Sequence, residues 1–414
     1  MKARERKLQY TLLALLLGVC QLAASTDFEA ASVESRWKAG DAGVVLTLEF
    51  PAPTSGPDAW PDLASGMELA APPLLNRLIR IPDRSGVSVR ILQQDWRSLG
   101  KQAAAQWGPV VQDADPTPVV RLGEPMILRD QRVMAVSVSP LRWNPRTQAP
   151  EYLHGLELAL DFSGNDPRNQ ITHTMPPSPL SAALGADELI RPATADGVLR
   201  DLSFDPSPLP LSYMVFTPAS ALANTSFQQW LEWKFRKGHR LTVVSEEEIG
   251  WTAESIRARI QEEFQGDAPP DFVLLVGEAT GGTLVTPTHA TQYDHGYATV
   301  AGDDFLADLV VGRISVYTQS DLTRIFNKLN QYEQHPYLTD SAWLRRASFL
   351  SGSSICAPIM NQTLRAASTN LASAHGYTQV DTAWCASSTT HMAGWLTGGT
   401  SFISYIGWAG MEGL

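Results

Sequence analysis

Phe402-Ile403-Ser404-Tyr405-Ile406-Gly407-Trp408-Ala409-Gly410 is a five-residue apolar run that breaks into a glycine-flanked turn. A run this short, bounded by glycine, reads as a buried strand rather than a helix. In a parallel α/β sheet, ligands and catalytic side chains sit at the carboxyl end of such a strand. The sequence reaches Leu414 soon afterwards, so the expectation is a chain that stops at the rim of its active site, as an incomplete or divergent copy of an enzyme.

Working outward from this strand, four more apolar runs follow the same logic: Tyr213-Met214-Val215-Phe216, Leu241-Thr242-Val243-Val244, Phe272-Val273-Leu274-Leu275-Val276 and Ala347-Ser348-Phe349-Leu350. Between them lie helical segments at roughly 219–237, 252–264, 319–334, 358–375 and 388–396. Gly238 suits a left-handed helix end, and Thr252 with Ser255 suits a helix start. Strand and helix in alternation predict right-handed crossovers and a mainly parallel sheet covered on both faces, over 211–414. Its carboxyl ends are then Gly277-Glu278, Gly352-Ser353-Ser354 and Gly407-Trp408.

The first half has a different rhythm. Val44 to Phe50, Leu78 to Ile81, Val87 to Leu92, Val133 to Val138 and Leu156 to Phe162 are β-like runs separated by Pro, Gly and Asp. They predict an all-β sandwich over 26–165. Pro, Ser, Ala and Asp then dominate 166–210, which reads as an exposed linker open to processing.

The first 25 residues read as a signal peptide. Lys2, Arg4, Arg6 and Lys7 precede an apolar stretch from Thr11 to Cys20, and Ala23, Ala24 and Ser25 offer a cleavage site. Val19 fits poorly before a lipidated cysteine, so Cys20 is read as part of the leader. The stretch is too short to span a bilayer, and no later segment is long and apolar enough, so a secreted, periplasmic or cell-surface protein is expected. With 43 acidic against 32 basic residues and a net charge of −11, nucleic acid is not an expected partner. Leader removal leaves Cys356 and Cys385, which an oxidising compartment would allow to pair.

The loop after Val276 is rich in polar groups. His289, Asp294 and His295 lack the spacing of a zinc site. Asp303, Asp304 and Asp308 better suit a hard cation such as calcium, with a solvated, capped loop as the competing reading. No Gly-x-Ser-x-Gly elbow is present, which removes the usual serine hydrolases. Cys385 precedes His391 by six residues, but a helix from Ser388 would turn the imidazole away, so the pair is not expected to act as nucleophile and base. Trp230, Trp233 and Phe235, with Gly238-His239, are expected to form the packed face and end of the first helix. Asn224-Thr225-Ser226 and Asn361-Gln362-Thr363 match the glycosylation pattern, which is short enough to arise by chance.

Three segments together resemble the gingipain-type family of secreted cysteine peptidases. They are the strand Tyr213 to Phe216 with the helix ending Trp233-Lys234-Phe235-Arg236-Lys237-Gly238; the block from Tyr293-Asp294 through Tyr297, Gly302-Asp303 and Asp308 to Gly312-Arg313-Ile314-Ser315; and Phe402 to Gly410. The resemblance implies a caspase-like α/β peptidase domain, incomplete at its C-terminus, and makes the β-rich half similar to a prodomain. It implies protein or peptide substrates and no required cofactor. It also places Trp408 where the family has its catalytic histidine, Ser354 near the assisting acid, and the nucleophilic cysteine beyond Leu414. An indole accepts no proton, so the chain as written is expected to lack peptidase activity. The alternative is a non-catalytic secreted binding or cell-surface module on the same fold.

Overall fold

The computed structural model describes residues 33–40, 43–52, 74–103, 111, 118–172, 175, 176, 178, 180, 210–290, 293–352, 358–386 and 388–407. The signal peptide, most of 181–210, Cys356, Ser354 and Trp408 therefore lie outside the described residues.

The first half is antiparallel. One sheet runs β1 (Glu34–Gly40), β2 (Gly43–Glu49), β9 (Ala149–Ser163), β4 (Gly86–Ser98), with β8 (Leu141–Asn144) also on β9. The other runs β3 (Leu75–Arg80), β7 (Gln131–Val138), β5 (Val120–Leu122), with β6 (Met126–Leu128) also on β7. Alternation puts Leu46 and Leu48 of β2, Leu156, Leu158 and Leu160 of β9, and Val136 and Val138 of β7 into one shared core. Each such buried side chain is worth about 1.5–3 kcal/mol of transfer free energy.

Among the described residues from Ser212 onward, every pairing between strands is parallel, apart from one isolated antiparallel bridge, Ala290 to Tyr293. β10 (Ser212–Thr217), β11 (Arg240–Ser245), β12 (Phe272–Val276) and β13 (Val310–Ile314) form a sheet in the order β11-β10-β12-β13. β14 (Arg346–Gly352), β15 (Gln379–Ala386) and β16 (Phe402–Ile406) form a second, ordered β15-β14-β16. The single parallel sheet expected from the sequence is thus two sheets among the described residues. β10 explains the double cover by its period of two. Met214 and Phe216 meet α2 (Ala253–Gln265) through Ile256, Ile260 and Phe264, while Val215 meets α1 (Thr225–Arg236) and α3 (Gln319–Gln334) through Phe227, Trp230, Leu322 and Phe326. α4 (Pro358–Ala374) packs Leu364 against Ala347 and Phe349, and α5 (Ser388–Gly398) leads into β16.

Local chemistry sets the helix limits. Thr252 and Ser255 form a capping box at α2, and Gly238 closes α1 at φ 87°. The first helix is shorter than expected. Ala219–Ala223 is a 3-10 turn, and the Asn224 side chain accepts from Phe227 N at 3.2 Å, restarting the chain as α1. Asn224 Nδ2 also donates to Thr323 at 2.8 Å, which makes this residue a structural cap. Phe235 corrects another expectation. It is 70% exposed, because the buried stripe of α1 runs through Phe227, Trp230 and Lys234 and position 235 turns off it.

Candidate functional site at the carboxyl rim

The strand the sequence singled out does lie in a parallel sheet, paired with β14 from Phe402 to Ile406. Its carboxyl end meets two others. Gly407 follows β16 and Gly352 ends β14, and their backbones approach so closely that a Cβ on Gly407 would sit 3.1 Å from Gly352 Cα. A Cβ on Gly352 would in turn sit 2.8 Å from the Tyr405 hydroxyl. At the end of β15, Cys385 N donates to Ser351 Oγ at 2.8 Å, tying the third strand to the same point. Three strand ends therefore converge on one rim, and the two positions of closest approach are glycine.

Cys385 is disulfide-bonded and adopts φ 54°. A sulfur in a disulfide is no thiolate nucleophile. His391 is exposed and packs beside Trp395 one turn along α5, with ring centroids 5.7 Å apart. The Cys385/His391 pairing that the sequence argued against has no free thiol to work with.

The other sheet has its own rim, built around Arg313 at the end of β13. Its guanidinium grips Asp294 with Nε and Nη2, both at 2.8 Å, and donates to Gly277 O at 2.9 Å, Thr286 O at 2.6 Å and Pro287 O at 3.1 Å. One planar fork thus fixes a loop that leaves β12 through Gly277, whose φ of 127° and whose 2.9 Å approach to Thr286 Oγ1 exclude a side chain. Glu278 follows, accepting from Ser315 Oγ and from Ala279 N at 2.8 Å.

The polar residues of that loop do not assemble into one site. Asp294 is committed to Arg313, His295 Nε2 lies 2.8 Å from Phe305 O, and His289 stacks edge-on against Tyr297 with burial pulling its pKa down. Asp304 accepts from Ile127 N and Leu306 N, and burial raises its pKa. Asp308 is fully buried and accepts from Val300 N, Ala301 N and Arg129 N; desolvation pushes its carboxyl up to about 7 against those three donors. Asp303 is exposed, and its N–H donates to Asn169 Oδ1. Among the described residues no group of three or more His, Cys, Asp or Glu side chains is arranged to hold a metal ion.

Sequence reasoning missed what these carboxylates do. Ile127 and Arg129 belong to the hairpin between β6 and β7, so Asp304 and Asp308 join the antiparallel half to the parallel half. Arg129 carries the joint: Nη2 donates to Asp271 at 2.9 Å, and Nη1 to Pro270 O and Asp308 O, with the guanidinium 2% exposed. Asp271 precedes β12, so the joint sits at the amino ends of the strands, opposite the rim. The only sequence signal was Arg129-Asp130 between two apolar runs, a hairpin loop with an arginine at its tip.

Residues 207–414 match the sequence profile of peptidase family C25. Gingipain R2 of Porphyromonas gingivalis is 22% identical over 236 residues, which is 56% of this chain and 31% of that protein. Lys-gingipain of the same organism is 25% identical over 235 residues, 54% of this chain and 13% of that protein. The chain thus spans a third or less of the length of these relatives. Among solved structures, a complex of the P. gingivalis RgpB pro- and mature domains aligns with TM-score 0.41 and 22% identity over 49% of this chain and 48% of that one.

Proposed function

The chain belongs to peptidase family C25, and from that premise we propose that it is an exported, gingipain-like protein that engages polypeptides at the carboxyl rim of β14, β15 and β16. The observation carrying this reading is the convergence of Gly352, Cys385 and Gly407 at the carboxyl ends of three parallel strands, the place where parallel α/β sheets bind their ligands.

Peptide hydrolysis by a Cys/His pair needs a proton acceptor beside the thiol. The resemblance puts Trp408 at that position and Ser354 near the acid, and neither does the work. The proposal is therefore binding without Cys/His hydrolysis by the chain as written. A disulfide at Cys385 fits export to an oxidising compartment, as does the basic and apolar start of the sequence. The antiparallel half serves as a prodomain-like partner.

A peptide library incubated with the protein tests this. The expected result is no cleavage that a thiol alkylator suppresses; alkylator-sensitive cleavage would show that a working nucleophile and base exist and overturn the inactive reading.

A further inference from the structure

Helices α1 and α3 run parallel, side by side on one face of the first parallel sheet. Ser226 Oγ bonds Asn327 Oδ1 at 2.7 Å, and Asn330 Nδ2 donates to Ser226 O at 2.9 Å. Above this contact the helices leave a groove of about 420 Å³, within the range of about 300–1,000 Å³ usual for small-ligand sites. One wall carries Gln229, Glu232, Trp233 and Arg236 of α1; the other carries Asn327, Asn330, Gln331 and Gln334 of α3, with His335 just past the end of that helix. Both sets repeat at three and four residues, so each is a single stripe of its helix.

The chemistry of these stripes is unusual for a solvent-facing helix pair, where opposite charges are the common choice. The four residues that α3 itself contributes are all carboxamides, and the wall ends at the imidazole of His335. A carboxamide donates and accepts at once and carries no charge. The two charges opposite, Glu232 and Arg236, are bonded to each other. Asn330 is buried with both ends used, since its Oδ1 accepts from Gln334 at 3.3 Å, which makes a fixed floor. Trp233 is held half-buried by its indole N–H on Glu333 at 3.1 Å. The carboxamide of Gln229 and the Nδ2 of Asn327 bond nothing among the described residues.

We propose that this groove binds a neutral saccharide. Sugar hydroxyls donate and accept together, as the carboxamides do, and an indole packs well against the apolar face of a sugar ring. An extended peptide would want pockets for alternate side chains, and an anion would want an unpaired cation. The groove shows one indole, the imidazole of His335 at its end and a guanidinium already paired with Glu232; its described Lys and Arg side chains leave no cation free for an anion, and no row of alternating pockets is present among its described residues. It lies along the C-terminal half of both helices, hence toward the amino ends of the strands of the first parallel sheet, and none of its lining residues belongs to the β14–β16 rim, so it stands independently of the function proposed there.

Calorimetric titration of the full chain with maltotriose, cellotriose and triacetylchitotriose tests the site, with triglycine amide as the competing probe. At least one trisaccharide should bind saturably, and Gln229→Ala should weaken it roughly tenfold. Asn327→Asp keeps the acceptor for Ser226 but removes the free donor, so it should weaken binding while leaving the unfolding midpoint unchanged. No trisaccharide binding at millimolar concentration, binding indifferent to both substitutions, or displacement by triglycine amide would each overturn the proposal.

Discussion

Arg129 is held in a conformation that a glycine would take more easily, at φ 57°, in the loop between β6 and β7. Its guanidinium compensates by closing a buried pair with Asp271 and two carbonyl bonds across the halves of the molecule. Removing one partner of a buried pair leaves the other charge unmatched, so Arg129→Ala should cost about 3–5 kcal/mol by urea denaturation. Arg129→Lys should recover only part of this, because an ammonium cannot reproduce the planar fork. A cost within about 0.5 kcal/mol, ordinary for a surface substitution, would mean that the joint is not held by this side chain.

Asp308 gives the same joint a pH dependence. Its folded pKa of about 7 lies above the usual carboxylate value, so the folded protein binds a proton that the unfolded chain has released. Its contribution is therefore fully present below about pH 4 and is lost as pH rises through about 7. Thermal unfolding of the wild type and Asp308→Asn between these limits checks the sign: the downward slope with rising pH should flatten in the variant. A slope unchanged by the substitution would assign the effect to another group.

At the scale of elements, Gly277 turns the chain off β12 at the rim built around Arg313, at φ 127°. Gly277→Ala forces a Cβ into the 2.9 Å gap to Thr286 Oγ1 at a φ that side chains avoid, and should destabilise the protein by about 1–3 kcal/mol in equilibrium denaturation. What could be read from sequence here followed strength of pattern. α3 has the limits 319–334 expected for it, the structure adding Thr318 as the cap that accepts from Asp321 N, and β12 and β16 coincide with their apolar runs. β13 and β15 were not legible as strands. Gly312 and Arg313 interrupt the apolar run of β13, while β15, at the sheet edge, needs only half of its residues buried and keeps Gln379, Asp381 and Thr382. The longer β4 and β9 extend past their apolar cores because pairing with each other, through two register shifts, carries the polar ends along.

The candidate site divided along similar lines. Strand ends follow from topology, so Gly277, Gly352 and Gly407 could be anticipated. The grip of Arg313 on Asp294 could not, because their contact depends on how a 33-residue connection from Gly277 to Leu309 folds back. For the same reason Asp303, Asp304 and Asp308 looked like a cation site in one dimension, while in three dimensions Asp304 and Asp308 accept from backbone N–H groups of the other half.

Across the whole molecule, the two halves are joined at the amino ends of the strands, through Arg129, the Asn169 bond to Asp303 N at 2.7 Å, and Leu306 packed among Leu78, Met126 and Leu128. Met175, just past the antiparallel half, is buried in the core of the parallel half beside Met214 and Phe264. This arrangement places the joint at the amino ends of β12 and β13, opposite the carboxyl rim of their own sheet. No described helix is long and apolar enough to cross a membrane. Hydrogen–deuterium exchange of the full chain with and without a mixture of unstructured peptides tests the central claim most directly. Protection confined to Ser351-Gly352, Cys385-Ala386 and Ile406-Gly407 is the expected result; protection centred on the Arg129 joint, or none at the three strand ends, would contradict it.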